Sequence, residues 1–203
     1  MRVLSLESST DSASVALWVD GRVLAEESFE SKRSLSADLF PVLWRLLEPF
    51  ERMERIVVGL GPGSYAGVRI AIAAALGLQV VWDCELVGIP SVAGLADAAE
   101  NCRVIGDARR GTWYYTRVER GVCLAGPQLV DSAEALRALL EKDGGEICAT
   151  EELAPEWGAC LRRPSAALLA RLAAADVGIV QRGELEPLYL REAHITKPKE
   201  AKG

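Results

Sequence analysis

The order of short apolar segments in the first half of the chain constrains the fold more than any other feature. Three apolar runs come first, at Arg2–Leu6, Ala13–Val19 and Val23–Phe29, and the pair Asp20-Gly21 before the third is typical of a tight hairpin turn. The sequence therefore predicts three antiparallel strands at the start of the chain.

Helical and strand segments alternate after these three strands. Leucine and valine recur at helical spacing over Ser36–Leu47, and Ser36 is the predicted N-cap of this helix. A second helix follows a glycine-rich turn, and Ser91 is expected to cap a third. The predicted elements are strands at Ile56–Leu60 and Leu86–Ile89 and helices at Ser36–Leu47, about Ala66–Leu78 and Ser91–Ala99.

The second half of the chain repeats this order of elements. Three apolar runs are followed by a helix that Asp131 and Glu134 begin as a capping box, then by a strand and a last helix. These elements are strands at Arg103–Asp107, Thr112–Val118, Val122–Val130 and Glu146–Thr150, with the last helix at Ser165–Ala174.

This order of elements is that of the ribonuclease-H-like mixed sheet, the building block of actin and the sugar kinases. The chain is therefore predicted to be an α/β protein of two ribonuclease-H-like (actin/sugar-kinase type) lobes, each a mixed sheet flanked by helices. We place the N-terminal lobe at residues 1–100, a smaller C-terminal lobe at 101–192 and a disordered tail at 193–203.

Composition and charge exclude several classes of protein. Half of the 203 residues are hydrophobic, which supplies a sizeable core and excludes a disordered or fibrous chain. The net charge of −6 makes the surface repel polyanions, so any contact with nucleic acid is expected to be indirect. Five cysteines without C-x-x-C spacing indicate neither a disulfide framework nor a zinc site. We expect a cytoplasmic protein, because the sequence shows no signal-peptide pattern and no apolar run of membrane-spanning length.

The glycine-rich loop Gly61–Gly67 lies between a predicted strand and a predicted helix, an arrangement that directs backbone N–H groups at an anion. It is not a Walker A loop, because five residues separate its outer glycines and Val68 stands where that motif has lysine. Two interpretations remain open: a tight turn that brings helix and sheet together, or a loop that binds a nucleotide phosphate. The residues of the second interpretation are Ser9, Thr10, Gly61, Gly63, Ser64 and Arg69. Arg69 is expected to meet either an anion or an acidic side chain such as Glu7.

Residues suited to catalysis are scarce. His194 is the only histidine and lies in the predicted tail, so neither a two-histidine metal site nor a Ser-His-Asp arrangement can be built with it. We therefore predict no catalytic residue and no metal ligand.

The predicted second helix is apolar or small on every side from Ile70 to Leu78. Such a helix is expected to be buried all round, with one face on the sheet and the other under the Ser36–Leu47 helix, a partner subunit or both. The residues assigned to this partner interface are Leu39, Val42, Leu43, Leu46, Ile70, Ala73, Ala74 and Gly77.

Three segments in this order resemble the TsaB (YeaZ) family, which takes part in making the threonylcarbamoyladenosine modification of tRNA. They are Gly61-Pro62-Gly63-Ser64-Tyr65-Ala66-Gly67-Val68-Arg69-Ile70, Asp107-Ala108-Arg109-Arg110 and Pro187-Leu188-Tyr189-Leu190-Arg191. The chain departs from the family pattern at Glu7-Ser8-Ser9, at Tyr65-Ala66 and at Ala71, and its second half is shorter than usual.

The resemblance implies a two-lobed scaffold that has lost catalysis and supports a TsaD-type catalytic subunit. In the family the first two helices form the partner surface, which pairs with TsaD or, when the protein is alone, with a second copy as a homodimer. The complex also includes a TsaE-type ATPase, and TsaC makes the threonylcarbamoyl-adenylate that TsaD transfers. The resemblance further implies contact with tRNA only through the complex, no membrane association and no required cofactor, with ATP or ADP as a ligand near the partner interface.

Two functions of other classes remain as alternatives. One is a small-molecule kinase or ATPase that uses the Glu7–Ser12 hairpin and the Gly61–Gly67 loop, although Glu7 replaces the Asp that sugar kinases carry in this hairpin and their Gly is missing. The other is a glycoprotease-like peptidase, which would depend on Ser64 or His194. Arg109 and Arg110 fit either surface ion pairs or contacts to tRNA phosphate.

Overall fold

A computed structural model of the chain describes residues 1–30, 34–95 and 98–190. Its strands are β1 (Arg2–Glu7), β2 (Ser12–Val19), β3 (Arg22–Glu30), β4 (Arg55–Gly59), β5 (Glu85–Ile89), β6 (Asn101–Asp107), β7 (Trp113–Glu119), β8 (Val122–Val130), β9 (Glu146–Ala149), β10 (Cys160–Leu161) and β11 (Gln181–Arg182). Its helices are α1 (Leu35–Leu47), α2 (Tyr65–Trp82), α3 (Ala133–Lys142) and α4 (Ala166–Ala174). The α/β class is therefore confirmed.

The first sheet confirms the three-strand start. Strands β1, β2 and β3 are antiparallel neighbours, and Asp20 and Gly21 both adopt positive φ in the turn that joins the second to the third. Strands β4 and β5 then add parallel to β1, and the full order is β11-β5-β4-β1-β2-β3.

The second sheet repeats this topology. Its order is β10-β9-β6-β7-β8, with β6, β7 and β8 antiparallel and β9 and β10 parallel to β6, the arrangement that β1–β5 show in the first sheet. The sheet holds all five strands of the motif despite the short second half of the chain. Two ribonuclease-H-like lobes, each built on a mixed sheet, are thus present.

The helix starts differ by small steps from the predicted ones. Ser34 rather than Ser36 caps α1, because the helix begins at Leu35 and the Ser34 hydroxyl accepts from the backbone N–H of Ala37. Ser132 rather than Asp131 caps α3 in the same way. Helix α2 runs past its predicted end at Leu78 to Trp82 and stops where Asp83 turns left-handed.

The helix predicted at Ser91–Ala99 is wrong. Among the described residues of this range, only Ser91–Gly94 is helical, as a single 3₁₀ turn, and Leu95 instead pairs with Pro164 in a β-bridge. The carbonyl of Gly94 accepts from the N–H of Ser165, which joins this turn to the start of α4. The backbone of Gly94 and Leu95 therefore makes tertiary hydrogen bonds that the local sequence does not predict.

Helix α4 was expected in the second lobe, but it packs on the first sheet, against β1 and β2 above all. Its apolar side chains meet Val3, Val57 and Val87 on the face opposite α1 and α2. An ion-pair network fastens the end of α4 and β11: Arg55 contacts Glu85, Asp176 and the Ala173 carbonyl, and Arg182 contacts Glu85 and Asp176. The boundaries at 100 and 192 stay a prediction, and the 193–203 tail with His194 lies outside the described residues.

Four apolar layers form the core. Helices α1 and α2 cover one face of the first sheet and α4 covers the other, while α3 covers the outer face of the second sheet. A fourth layer joins the lobes, where Val92 and Leu95 meet Cys102, Val104 and other inner-face residues of the second sheet. Within the described part of the chain, α2 is also long and apolar enough to meet a membrane-span criterion, which core helices of soluble proteins meet as well.

Candidate functional site

A cleft of about 1190 Å³ lies between the two lobes. The first lobe contributes the β1–β2 hairpin, the glycine loop and the first turns of α2. The second lobe contributes the β6–β7 hairpin and the segment after β9, and the chain returns through Pro187–Leu190 to complete the wall. Most of the predicted phosphate-loop residues, Ser9, Thr10, Gly63 and Ser64, line this cleft.

The glycine loop brings the hairpin and α2 into backbone contact. A Cβ on Gly63 would lie 2.1 Å from the carbonyl oxygen of Ser9, and one on Gly67 would lie 2.1 Å from that of Ser8. The N–H of Ser64 donates to the Ser9 carbonyl at 2.6 Å, and the Ser8 hydroxyl donates to the Gly67 carbonyl at 3.0 Å. These contacts favour the tight-turn interpretation of the loop.

Several loop donors that an anion would need are already used by the protein. The N–H of Gly67 donates to the Ser64 hydroxyl at 3.2 Å, and the N–H of Gly61 donates to the Ser91 hydroxyl at 2.9 Å. Gly61 itself adopts a φ of +90°, which glycine tolerates at least cost. Ser64 thus serves as the N-cap of α2.

Glu7 is buried at the end of β1, beneath the cleft floor. Its Oε1 accepts from the N–H of Ser9 at 2.6 Å, and its Oε2 occupies the space that a Cβ on Gly59 would need. Burial raises the pKa of the Glu7 carboxyl, while hydrogen bonds from Ser9 and Ser91 oppose the rise. A carboxyl held in this way is not presented to the cleft.

Arg69 does not pair with Glu7, contrary to the acidic partner expected for it. Its guanidinium donates to the hydroxyls of Tyr65 at 3.0 Å and Tyr189 at 3.4 Å. The two tyrosine rings lie 5.2 Å apart at the rim of the cleft. A hydrogen bond from Tyr189 and the charge of Arg69 lower the pKa of Tyr65. Sequence reasoning missed this cluster because its members are 120 residues apart, although the closing motif contained Tyr189.

The second-lobe wall is acidic and carries arginines on its hairpin. The N–H of Asp107 donates to Glu151, and Arg109 pairs with Asp107 at 3.5 Å. Arg110 is exposed and, like Arg109, adopts a positive φ. Arg163 reaches across the cleft to Asp11 and links the two lobes.

No group of three or more His, Cys, Asp or Glu side chains among the described residues is arranged to hold a metal ion.

A second surface of interest is the outer face of α1 and α2. Apolar side chains stand in solvent there, including Phe40, Trp44 (81% exposed) and Val80 (83% exposed). Between the two helices runs a groove of about 440 Å³ lined by Ser36, Phe40, Ile70, Ala73, Ala74, Gly77 and Leu78. Ile70 lines both the groove and the cleft, so the two lie on either side of this residue. We call this surface the α1/α2 face.

The residues assigned from sequence to the partner interface divide into two groups. Leu39, Val42, Leu43 and Ala74 are buried in the core of the chain itself. Ala73 and Gly77 are exposed and Leu46 and Ile70 half-buried, so these four are the ones a partner could reach. The sequence prediction did not name the exposed apolar residues Phe40, Trp44 and Val80. Periodicity locates the apolar stripe of a helix, but it does not tell which edge of that stripe stays in solvent.

The expectation that α2 is buried on every side is not met within the single chain. Leu76, Val80 and Val81 are exposed near its end, so the chain alone leaves much of the outer side uncovered. Exposed apolar side chains gathered on one helix pair are typical of an interaction surface.

The two lobes and the cleft between them define a protein of the actin and sugar-kinase type of architecture. A family model described as TsaD, tRNA N6-adenosine threonylcarbamoyltransferase, matches residues 26–162. The tRNA threonylcarbamoyladenosine biosynthesis protein TsaB of Escherichia coli is 32% identical over 131 residues, 59% of this chain and 56% of that protein. TsaB of Bacillus subtilis is 32% identical over 125 residues, 56% of this chain and 53% of that protein.

The solved structure of YeaZ from Pseudomonas aeruginosa superposes with a TM-score of 0.70 at 25% identity, covering 93% of this chain and 99% of that chain. The chain belongs to the TsaB (YeaZ) family, within the wider group that the TsaD family model describes. Its sequence matches span a little over half the length of the two TsaB proteins.

Proposed function

We propose that this protein is a non-catalytic subunit needed for threonylcarbamoyladenosine modification of tRNA, and that it supports a TsaD-type catalytic subunit by binding it through the α1/α2 face. The observation that carries the proposal is the exposed apolar side of these helices: Phe40 lines an open groove between them, and Trp44 and Val80 are exposed to solvent on the same two helices. Burying such a surface stabilises a complex by about 25 cal/mol for each Å² of apolar area removed from water.

Gly77 adds an independent argument for a partner. Apart from the neighbouring residues and the backbone of α2 itself, no described atom lies within 4 Å of the position that a Cβ on Gly77 would occupy, so the fold of the single chain does not require glycine there. Glycine inside a helix costs about 1 kcal/mol relative to alanine. The close approach of a partner's backbone at this point of α2 would explain a glycine that the packing of its own chain does not require.

The absence of catalysis is supported by the state of the cleft floor. Glu7, at the position where sugar kinases carry an acid, is buried against Gly59 and Ser9, and the Ser64 hydroxyl is engaged as a helix cap. These arrangements disfavour the kinase and peptidase alternatives. We propose that the protein is cytoplasmic and contacts tRNA only through the complex, which also contains a TsaE-type ATPase. When the protein is alone, we propose that it forms a homodimer through the same α1/α2 face.

We further propose that no cofactor is required for folding and that ATP or ADP, when present, binds where the cleft meets the α1/α2 face. Ile70 lines both the groove and the cleft, and the first turn of α2 opens on the cleft beside Tyr65. Calorimetric titration of ADP into this protein, the TsaD-type subunit and their mixture tests the location. Binding only by the mixture is expected, and equal binding by this protein alone would contradict it.

The test of the function is a reconstituted modification reaction with tRNA, the TsaD-type and TsaE-type subunits and a TsaC-type enzyme. We expect modified adenosine only when this protein is added, and a loss of about tenfold or more when Ala73→Arg replaces the wild type, because a buried charge at an interface is costly. Leu124→Arg, an exposed apolar position on β8, is the matched control and should retain activity. Full modification without this protein would refute the proposal.

A further inference from the structure

Four of the five cysteines lie in the second sheet, and the strand register places them on one face. Cys160 on β10 pairs directly with Cys148 on β9, and Cys102 on β6 lies one diagonal step away from Cys148. Residues paired across neighbouring strands point to the same side of a sheet. Cys148 is buried, whereas Cys160 on the short edge strand is exposed.

Charged groups surround the Cys148 and Cys160 thiols. The Cys148 thiol donates to Glu146 Oε2 at 3.5 Å, and the Cys160 thiol also lies within reach of the Glu146 carboxylate. Arg162 binds the same carboxylate at 2.6 Å and lies close enough to feel the charge of both thiols. A hydrogen bond with Cys102, burial and the Glu146 carboxylate raise the pKa of the Cys148 thiol. The exposed Cys160 is therefore the thiol that an oxidant meets first, with Cys148 in direct register behind it.

We infer that Cys160 and Cys148 form a peroxide-sensitive thiol pair that closes to a disulfide between β10 and β9. Strand neighbours in direct register lie about 4.8 Å apart, which falls within the Cα separation of about 4.4–6.8 Å that a disulfide needs. The diagonal pair Cys102 and Cys148 lies about 8 Å apart by the same spacing, which is too far without a backbone shift.

The oxidation proceeds in two steps with hydrogen peroxide as the oxidant. The exposed Cys160 sulfur attacks one peroxide oxygen, the O–O bond breaks, and Cys160 sulfenic acid and one water form. The Cys148 sulfur then attacks the Cys160 sulfur and its proton passes to the leaving hydroxyl, with Glu146 placed to carry it, so a second water leaves. Two thiols and one peroxide thus give one disulfide and two waters.

The position of the pair connects it to the cleft. Leu161, the residue after Cys160, lines the cleft, and Arg163 two residues further forms the ion pair with Asp11 that links the lobes. A covalent bond at Cys160 would fix the start of the segment that carries both of these side chains.

The test is to treat the full chain with equimolar hydrogen peroxide and follow free thiols, intact mass and disulfide-linked peptides. We expect free thiols to fall from five to about three, a mass lower by about 2 Da, a Cys148–Cys160 peptide and full reversal by dithiothreitol. Cys160→Ser, on an exposed position, should abolish the cross-link, and Cys84→Ser, just before β5 and away from the second sheet, should keep it. Sulfinic acid at Cys160 without a cross-link, a Cys102–Cys148 bond, or unchanged thiols would each overturn the inference.

Discussion

Gly77 is exposed on α2, and apart from its neighbours and the backbone of α2 itself no described atom comes within 4 Å of the position that an added methyl group would take. Gly77→Ala should therefore raise the free energy of unfolding of the isolated chain by about 0.5–1 kcal/mol, because alanine loses less backbone freedom in a helix. The same methyl group should weaken association with the partner. Urea unfolding of a monomeric sample measures the first effect and light scattering the second. Unchanged association would mean that no backbone approaches α2 at this point.

Glu7 gives the protein a specific dependence of stability on pH. Burial raises its pKa in the folded state above the usual 4.5, so the folded chain binds a proton that the unfolded chain releases. The stability due to the protonated carboxyl is complete below pH 4.5 and is lost as the pH rises through the raised value. Glu7→Gln should remove this pH-dependent loss of stability. The urea midpoint of the wild type should therefore fall relative to that of the variant as the pH rises.

The control for Glu7→Gln is Glu48→Gln, an exposed position at the end of α1. This variant should follow the wild type at every pH. Parallel curves for Glu7→Gln and wild type would show that the Glu7 carboxyl titrates as it does in the unfolded chain.

At the scale of single residues, sequence reasoning found the loop glycines but not the partners of Arg69. Gly63 and Gly67 follow from a local rule, since a turn between strand and helix needs room for backbone contact. The contact of Arg69 with Tyr189 depends on how the chain returns across the cleft, which no local pattern encodes.

Among the elements, the seating of α2 on the β1–β2 hairpin is the contact most sensitive to added volume. Gly67→Ala would place a Cβ 2.1 Å from the Ser8 carbonyl oxygen, so we expect a loss of about 1–3 kcal/mol in the free energy of unfolding. Gly77→Ala in the same helix is the matched comparison with the opposite sign. Thermal and urea unfolding of both variants measure the difference, and equal stabilities would contradict the described packing.

Strand positions were predicted better than helix assignments. The strands carry dense apolar runs bounded by turn residues, and all nine predicted strands are confirmed within one or two residues of their predicted ends. The helix after Ser91 failed because the Leu95 backbone pairs with Pro164 and the Gly94 carbonyl accepts from Ser165. The location of α4 failed for a related reason: an apolar stripe predicts that a helix is covered, but not which sheet covers it.

For the whole molecule, the order of elements was enough to predict two lobes with a common strand order, because that order restricts the connections that a mixed sheet permits. The cleft was only half predicted. Its first-lobe wall follows from the glycine loop, whereas its second wall and Pro187–Leu190 depend on how the lobes and the returning chain pack. The partner interface stays a prediction, and four of the eight residues assigned to it from the sequence are buried within the chain itself.

We propose that the α1/α2 face binds both a second copy of this protein and the TsaD-type subunit. The most direct measurement is light scattering coupled to gel filtration of this protein alone and mixed with that subunit, with Gly77→Arg on the face and Leu124→Arg on β8 for comparison. We predict a homodimer that is replaced by a mixed complex when the TsaD-type subunit is added. Gly77→Arg should weaken both associations by about tenfold or more, and Leu124→Arg should leave both unchanged. A monomer that ignores the subunit, or complexes that tolerate arginine at position 77, would contradict it.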